Sequence, residues 1–146
     1  MNMLVLEIIL TKRREMFLIE GSKHVGTAVL YGLITIFMML ITSSLLFSLL
    51  LRFTSVQESS LQYIITGVSF ITLFVGGFIS GGKGKQKGWF LGGITGLVYS
   101  IIIFLFSFLG SDQLFTMEQF IYHLCYTLIC MMGGILGVNL SKDTER

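Results

Sequence analysis

Proline is absent from the 146-residue chain, and charged residues make up only 12% of it. An ordinary soluble domain is about 25% charged. With 53% hydrophobic residues, a soluble domain of this size could not bury its apolar surface, because small domains keep much of their surface wet. The composition therefore excludes an ordinary soluble domain and predicts that lipid covers part of the chain. The lack of proline also excludes helices broken at proline, a common device of transporter sites.

Cysteine is scarce as well, and the two cysteines, Cys125 and Cys130, fall in one apolar run. Residues five positions apart do not share a helix face, so the spacing argues against a disulfide between them or a shared metal site. We expect both thiols to pack as small apolar groups. The sequence predicts neither a cofactor nor a metal ion.

Charged residues are missing from the middle of every apolar run, where His123 is the ionisable group of note. Intramembrane charges usually mark ion or substrate pathways, so their absence argues against a proton-coupled exporter. No nucleophile–base pair is visible, and we expect no enzymatic activity. We interpret Glu118 as a residue favoured at a helix start, capped by Thr116 or Ser111; a Glu118–His123 proton relay is the alternative.

Four long apolar runs are present, at residues 25–51, 61–80, 89–109 and 120–140. Each is about 20 residues or longer, the length that a helix needs to cross ~30 Å of hydrocarbon. The sequence predicts an all-α fold: a four-helix transmembrane bundle of two consecutive helical hairpins, with adjacent helices antiparallel. Residues 25–140 would form this membrane domain, flanked by cytoplasmic segments at residues 1–24 and 141–146.

Basic residues near the run ends predict the orientation. Nine of the ten Lys and Arg residues fall on one side of the predicted bundle: Lys12, Arg13, Arg14, Lys23, Lys83, Lys85, Lys87, Lys142 and Arg146. The other side has Arg52, beside Glu58, Asp112 and Glu118. Because Lys and Arg accumulate on the cytoplasmic side of membrane helices, we expect both termini in the cytoplasm of a bacterial cell.

The stretch G-F-I-S-G-G-K at residues 77–83 matches all but the last position of a phosphate-binding loop. That loop requires a preceding strand and a hydroxyl after its lysine, but here a 20-residue apolar run precedes it and Gly84 follows. We therefore interpret the segment as a basic membrane hairpin whose glycines let the backbone turn tightly. Its functional residues would be Lys83, Lys85, Lys87 and Trp89. They would act as a topology signal with an interfacial anchor or, alternatively, as a site for anionic lipid.

Glycines recur at four-residue spacing in three of the runs. The predicted helix-packing set is Gly77, Gly81, Gly88, Gly92, Gly96, Gly133 and Gly137. This spacing places glycines on one helix face, where bare backbones can approach closely in lipid. Polar residues continue these stripes and predict a polar bundle interior: Gln62, Thr66, Ser69, Tyr99 and His123. We interpret the stripes as packing surfaces, with a hydrated path as the alternative.

Two further hypotheses come from short patterns. The stretches F-V-G-G-F-I-S-G-G-K at residues 74–83 and M-M-G-G-I-L-G-V-N-L-S-K at residues 131–142 suggest a parallel internal repeat, although shared packing needs could also produce them. Residues 1–15 lack the order of a secretory signal. Because Arg13 and Arg14 written AGG-AGG would form a ribosome-binding sequence, we expect the native start near Met16; an amphipathic surface helix is the alternative.

Several stretches carry a resemblance to a known family: Y-G-L-I at residues 31–34, F-T-S-V-Q-E-S-S at 53–60, G-G-F-I-S-G-G-K-G-K-Q-K-G-W at 76–89 and G-G-I-L-G-V-N-L at 133–140. Together they resemble the YrzE-like family of uncharacterised small four-pass membrane proteins from Gram-positive bacteria. The resemblance implies a fold and a membrane location but no activity. From the residues we expect a non-enzymatic membrane protein that binds no nucleic acid and associates with itself or other membrane proteins through glycine-rich faces. The alternative is a small transporter or channel subunit with a polar interior.

Overall fold

The computed structural model describes residues 2–55, 58–111 and 116–144. These residues form four α-helices and no strand: α1 (Asn2–Phe53), α2 (Glu58–Gly84), α3 (Gly88–Ser111) and α4 (Met117–Asp143). Each predicted apolar run lies inside one helix, and all four helices are long and apolar enough to cross a membrane. The predicted all-α, four-helix fold is confirmed.

The central pair of the bundle is α2 and α3. Both α1 and α4 contact this pair, but within the described residues α1 and α4 do not contact each other, so they lie on opposite sides. The most extensive contact joins α2 and α4, which run parallel because one antiparallel helix separates them in the chain. We call the end with the α2–α3 turn the lysine end; it also holds the end of α4. Arg146 and Asp112 of the orientation prediction lie outside the described residues.

Helix α1 is long and peripheral. Its 52 residues span about 78 Å at 1.5 Å per residue, and the residues from 2 to 24 continue the helix with every side chain exposed. Its buried residues are Ala28, Val29, Gly32 and Ile36. The most apolar 18-residue stretch of α1 is only 6% buried, against 28–33% in the other helices. Most of α1 therefore faces the surroundings rather than the bundle.

Helix α4 begins with a capping box. The Thr116 hydroxyl accepts from the Gln119 backbone N–H at 3.4 Å, and the Gln119 side-chain oxygen accepts from the Thr116 N–H at 3.2 Å. This reciprocal pair satisfies two backbone donors that the helix itself leaves open. Glu118 lies in the same first turn, where the helix dipole stabilises a negative charge. Thr116 is the predicted cap; the side chain of Ser111, the other candidate, lies outside the described residues.

Candidate functional site

Helices α2 and α4 meet backbone to backbone near the lysine end. A Cβ added to Gly77 would overlap the carbonyl oxygen of Cys130, and one added to Gly81 would overlap the carbonyl oxygen of Gly134. Neither neighbouring atom belongs to a side chain that could rotate away. Only glycine allows this approach, which is how helices associate in lipid without a hydrophobic driving force between them.

The same contact is built again from the α4 side. A Cβ added to Gly133 would overlap the carbonyl oxygen of Phe74, and one added to Gly137 would overlap that of Phe78. The glycines correspond at a constant offset, because 77 to 133 and 81 to 137 are both 56 positions. The contact is therefore reciprocal, since each helix presents glycines to the backbone of the other. A parallel repeat of the two hairpins would pair the α2–α3 contact with an α1–α4 contact. Among the described residues, α3 contacts α2 but α1 does not contact α4.

The tandem glycines of α3 contact the other side of α4. A Cβ added to Gly88 or Gly92 would overlap the carbonyl oxygen of Gly134 or Cys130, respectively, and at Gly96 it would lie 2.9 Å from α4 backbone. All seven predicted packing glycines therefore meet another helix of the same chain. In this chain, α4 therefore covers the glycine faces of α2 and α3.

Close to the glycines, a buried hydroxyl pair joins α2 to α3. The hydroxyl oxygens of Thr95 and Ser80 are 2.8 Å apart, and Thr95 Oγ1 is also 2.8 Å from the carbonyl oxygen of Leu91. One arrangement satisfies both groups: Thr95 donates to Leu91 and accepts from Ser80. Both hydroxyl residues are fully buried. The pair stabilises the central helices without a charge.

The three lysines of the basic hairpin do not act as one cluster. The Lys83 ammonium lies over the Tyr31 ring of α1, 4.8 Å from its centroid. Lys85 and Lys87 instead line a concavity beside Lys142 of α4. Trp89, which is 55% exposed, lies in the first turn of α3. The sequence grouped these lysines by proximity in the chain, and the structure separates them.

The backbone of the hairpin turns at its lysines rather than at its glycines. Lys85 and Lys87 have φ values of 55° and 46°, and no described glycine has a positive φ. This corrects the expectation that the glycines supply the turn. Gly88 is needed for close approach instead, because an added Cβ would overlap the Gly134 carbonyl oxygen, whereas at Gly84 it would meet the end of the Leu91 side chain.

A group of hydroxyl, phenol and imidazole side chains lies further from the lysine end. We call it the polar cluster: Ser69, Tyr99, Ser100, His123 and Tyr126. His123 Nδ1 is 3.2 Å from the Ser100 hydroxyl. The His123 ring stands perpendicular to the Tyr126 ring, with centroids 5.6 Å apart, and 6.4 Å from the Tyr99 ring. Ser69 pairs with the Tyr126 phenol. The cluster thus connects α2, α3 and α4.

Thr72 differs from the other buried hydroxyl residues. Its side chain is fully buried, and its Oγ1 has no hydrogen-bond partner within the part of the chain that the structure describes. Thr66, Thr95 and Thr127 each donate to the carbonyl four residues earlier, at 2.8–2.9 Å. An unpartnered buried hydroxyl costs about 1–3 kcal/mol. Thr72 is therefore a local source of instability in α2.

Three of the five predicted interior residues belong to this cluster. Ser69 and His123 are half-buried, and Tyr99 is buried. Thr66 is half-buried and bonds within its own helix. Gln62 is exposed, which corrects its assignment to the interior; residues 62–65 near the start of α2 are all exposed, so the neighbouring helices do not yet cover that turn.

Sequence reasoning did not identify Ser100 and Tyr126 as members of the cluster. Tyr126 follows His123 by three positions, which places both on one helix face, and this spacing was the available signal. Ser100 follows Tyr99 directly, so no helical periodicity connects it to that residue. Among the described residues, no group of three or more His, Cys, Asp or Glu side chains could hold a metal ion. The chemistry of the cluster is neutral hydrogen bonding.

Comparison with known proteins places this chain among membrane proteins. Residues 25–137 match the family model described as "Protein of unknown function (DUF3792)". The chain is 53% identical over 127 residues to the "Uncharacterized membrane protein YrzE" of Bacillus subtilis (strain 168). These aligned residues cover 87% of this chain and 85% of the relative. No solved structure matches the chain.

Proposed function

The chain belongs to the DUF3792 family, as its YrzE-like sequence features indicated, and from this premise we propose that it is a non-enzymatic membrane protein that associates with a second copy of itself or with another membrane protein. The carrying observation is the exposure of α1, whose most apolar stretch is 6% buried. A bacterial cell membrane is the proposed location, with both termini in the cytoplasm. The association surface differs from the glycine faces that hold the chain together.

The proposed surface lies at the end of the α1–α2 hairpin away from the lysine end. We call it the hairpin surface: Ser44, Ser48 and Gly67. A Cβ added to Gly67 would meet no atom within 4 Å, so the packing of the chain itself gives no reason for a glycine that costs about 1 kcal/mol of helix stability. Ser44 and Ser48 are also exposed. Small and hydroxyl side chains of this kind are enriched where membrane helices pair.

Cysteine crosslinking in native membranes tests this surface. In a chain with Cys125 and Cys130 replaced by alanine, Ser44→Cys and Ser48→Cys should form a disulfide-linked dimer of twice the 16.3 kDa chain mass, or a single product with a different protein. The matched control is Leu105→Cys, which is 54% exposed on α3. Crosslinking no stronger than in this control would refute the proposed surface.

A second variant tests the role of Gly67 in the same assay. Gly67→Leu fills space that is open within the chain, so folding should be retained while a close helix approach is blocked. We expect a several-fold lower crosslinking yield at Ser44. An unchanged yield would show that Gly67 does not contribute to association.

The proposed orientation has its own test. Ser111→Cys should react with a membrane-impermeant thiol reagent in intact cells, whereas Lys85→Cys should react only after the cells are opened. The physical reason is the accumulation of Lys and Arg on the cytoplasmic side. The reverse labelling pattern would invert the orientation.

A small transporter or channel subunit is the second candidate, favoured by one observation. A path for a polar species would need polar groups inside the bundle, and the unpartnered Thr72 hydroxyl and the His123–Ser100 pair are such groups. Against a continuous path, the backbones of α2 and α3 both contact α4 at the level of the glycines. Ion and proton flux into proteoliposomes tests this candidate, and flux no greater than in protein-free vesicles would refute it.

A further inference from the structure

A concavity at the lysine end joins the α2–α3 turn to the end of α4. Its lining consists of Lys85, Gln86, Lys87, Ser141 and Lys142, and its volume is about 540 Å³. Three ammonium groups and two neutral hydrogen-bonding groups therefore surround one space. Among the described residues, the lining includes no carboxylate; Asp143 follows Lys142 and is exposed.

The positions of these lysines are fixed by the backbone on both sides of the turn. The Lys85 N–H donates to the carbonyl of Gly81 at 3.0 Å, which closes α2, and the Phe90 and Leu91 N–H groups donate to the Lys87 carbonyl at 2.9 and 3.1 Å, which opens α3. Lys85 and Lys87 adopt a left-handed φ, which is sterically unfavourable for residues with a side chain. The turn is thus held in a conformation that local preference alone would not select.

The turn is also held against α4. A Cβ added to Gly82 would lie 3.0 Å from the Ser141 hydroxyl, so α2 approaches α4 closely at the edge of the concavity. Lys142 reaches the same space from a residue 55 positions beyond Lys87 in the chain. Two separate parts of the sequence therefore bring their cations together.

A topology signal alone does not explain this arrangement. The helix dipoles stabilise positive charge at the C-terminal ends of α2 and α4, and Lys and Arg accumulate on the cytoplasmic side. Both effects require charge near a helix end and set no direction for the side chain. They account for Lys83, which lies over Tyr31, as well as for Lys142. They do not account for the convergence of Lys87 and Lys142 with Gln86 and Ser141.

We propose that this concavity binds a phosphate group and that the headgroup of an anionic phospholipid supplies it. Ammonium, amide and hydroxyl donors around one space match the acceptor oxygens of a phosphate diester. The lipid source is favoured because Trp89, two residues after Lys87, is exposed as an interfacial anchor would be. The proposal goes beyond the association function and does not depend on it.

Native mass spectrometry of the full chain in detergent tests the proposal. The probes are dioleoyl-phosphatidylglycerol and, as the uncharged comparison, dioleoyl-phosphatidylcholine. Each lysine near an anionic membrane surface contributes about 1 kcal/mol, which corresponds to roughly a five-fold change in occupancy. We expect Lys87→Gln and Lys142→Gln each to lower phosphatidylglycerol occupancy about five-fold, and Lys142→Arg to restore it.

The control variant removes one positive charge from the same hairpin at Lys83, a residue that does not line the concavity. Lys83→Gln should change phosphatidylglycerol occupancy less than two-fold, because Lys83 lies over Tyr31. Ser141→Ala, which removes no charge, should lower it at least two-fold. Equal losses in Lys83→Gln and Lys142→Gln, or equal occupancy by phosphatidylcholine, would overturn the site.

Inorganic pyrophosphate distinguishes the two sources of phosphate. Retention of phosphatidylglycerol in the presence of millimolar pyrophosphate supports a lipid site, because acyl chains add contacts that a free anion lacks. Displacement at that concentration would overturn the lipid assignment. Lys142 and Lys87 are exposed, so their variants should keep the thermal stability of the native chain, which confirms that lost binding is not lost folding.

Discussion

Replacing Gly81 with alanine adds one methyl group at the centre of the α2–α4 contact. Its carbon would overlap the Gly134 carbonyl oxygen and lie 2.8 Å from both the Gly134 carbonyl carbon and Cα. All three neighbours are backbone atoms, so no rotamer change can make room. The two helices must separate locally by roughly 1 Å, and a gap of that size forfeits between a quarter and a half of each affected van der Waals contact.

The expected cost follows from two opposing effects. Overpacking a well-packed interior costs about 1–3 kcal/mol, and the upper end applies because the obstruction is backbone. Alanine recovers about 1 kcal/mol of helix propensity over glycine. Gly81→Ala should therefore destabilise the fold by about 2 kcal/mol. For a chain of this length, the transition temperature should fall by roughly 6 °C.

Gly67→Ala is the matched control, because it is the same substitution in the same helix with no atom within 4 Å of the added carbon. It should raise the stability by up to about 1 kcal/mol. Both variants are measured in one detergent, by thermal unfolding followed with circular dichroism and by retention of a monodisperse peak after heating. A Gly81→Ala variant as stable as the native chain, or less harmful than Gly67→Ala, would refute the backbone contact.

Three further predictions concern buried groups. Thr72→Val replaces an unpartnered buried hydroxyl with a methyl group and should raise the free energy of unfolding by about 1–2 kcal/mol. A lower free energy of unfolding would show that the hydroxyl has a bound partner. A double-mutant cycle of Ser80→Ala and Thr95→Val should give a coupling of about 0.6 kcal/mol, the average for hydrogen bonds between membrane helices, and a coupling near zero would contradict the 2.8 Å contact. In detergent, Cys125, which is partly exposed, should react with maleimide much faster than the buried Cys130, and equal rates measured by mass spectrometry would contradict the position of α4.

The sequence was sufficient to predict the four helices. Runs of about 20 apolar residues have few alternatives to a spanning helix, because the backbone must satisfy its own hydrogen bonds in lipid. The Thr116 cap was also readable, since Thr-x-x-Gln is a local pattern with a local consequence. Four-residue glycine spacing predicted helix faces of close approach, and these glycines lie against neighbouring helices. These features depend on residues near one another in the chain.

Other features depend on which helices meet, and the sequence does not encode that locally. Gly77 and Gly92 carry the same pattern as partner-binding glycines in other membrane proteins, and only the position of α4 shows that both are already occupied. Lys83 and Lys85 are two positions apart, but one lies over a ring of α1 and the other faces the end of α4. Gln62 continues a polar stripe into a turn that no neighbouring helix covers.

The position of α4 has a consequence for how the protein is made. A chain is synthesised from its N-terminus, and its first segments begin to fold before its last ones exist. The bare strips on the second and third helices at Gly77, Gly81 and Gly92 therefore enter the bilayer before the segment from Met117 to Asp143 arrives to cover them. A product that ends prematurely before Met117 leaves those strips open to whatever helix the translocon releases next. Completion of translation is therefore also the step that protects the nascent chain from pairing with the helices of other proteins.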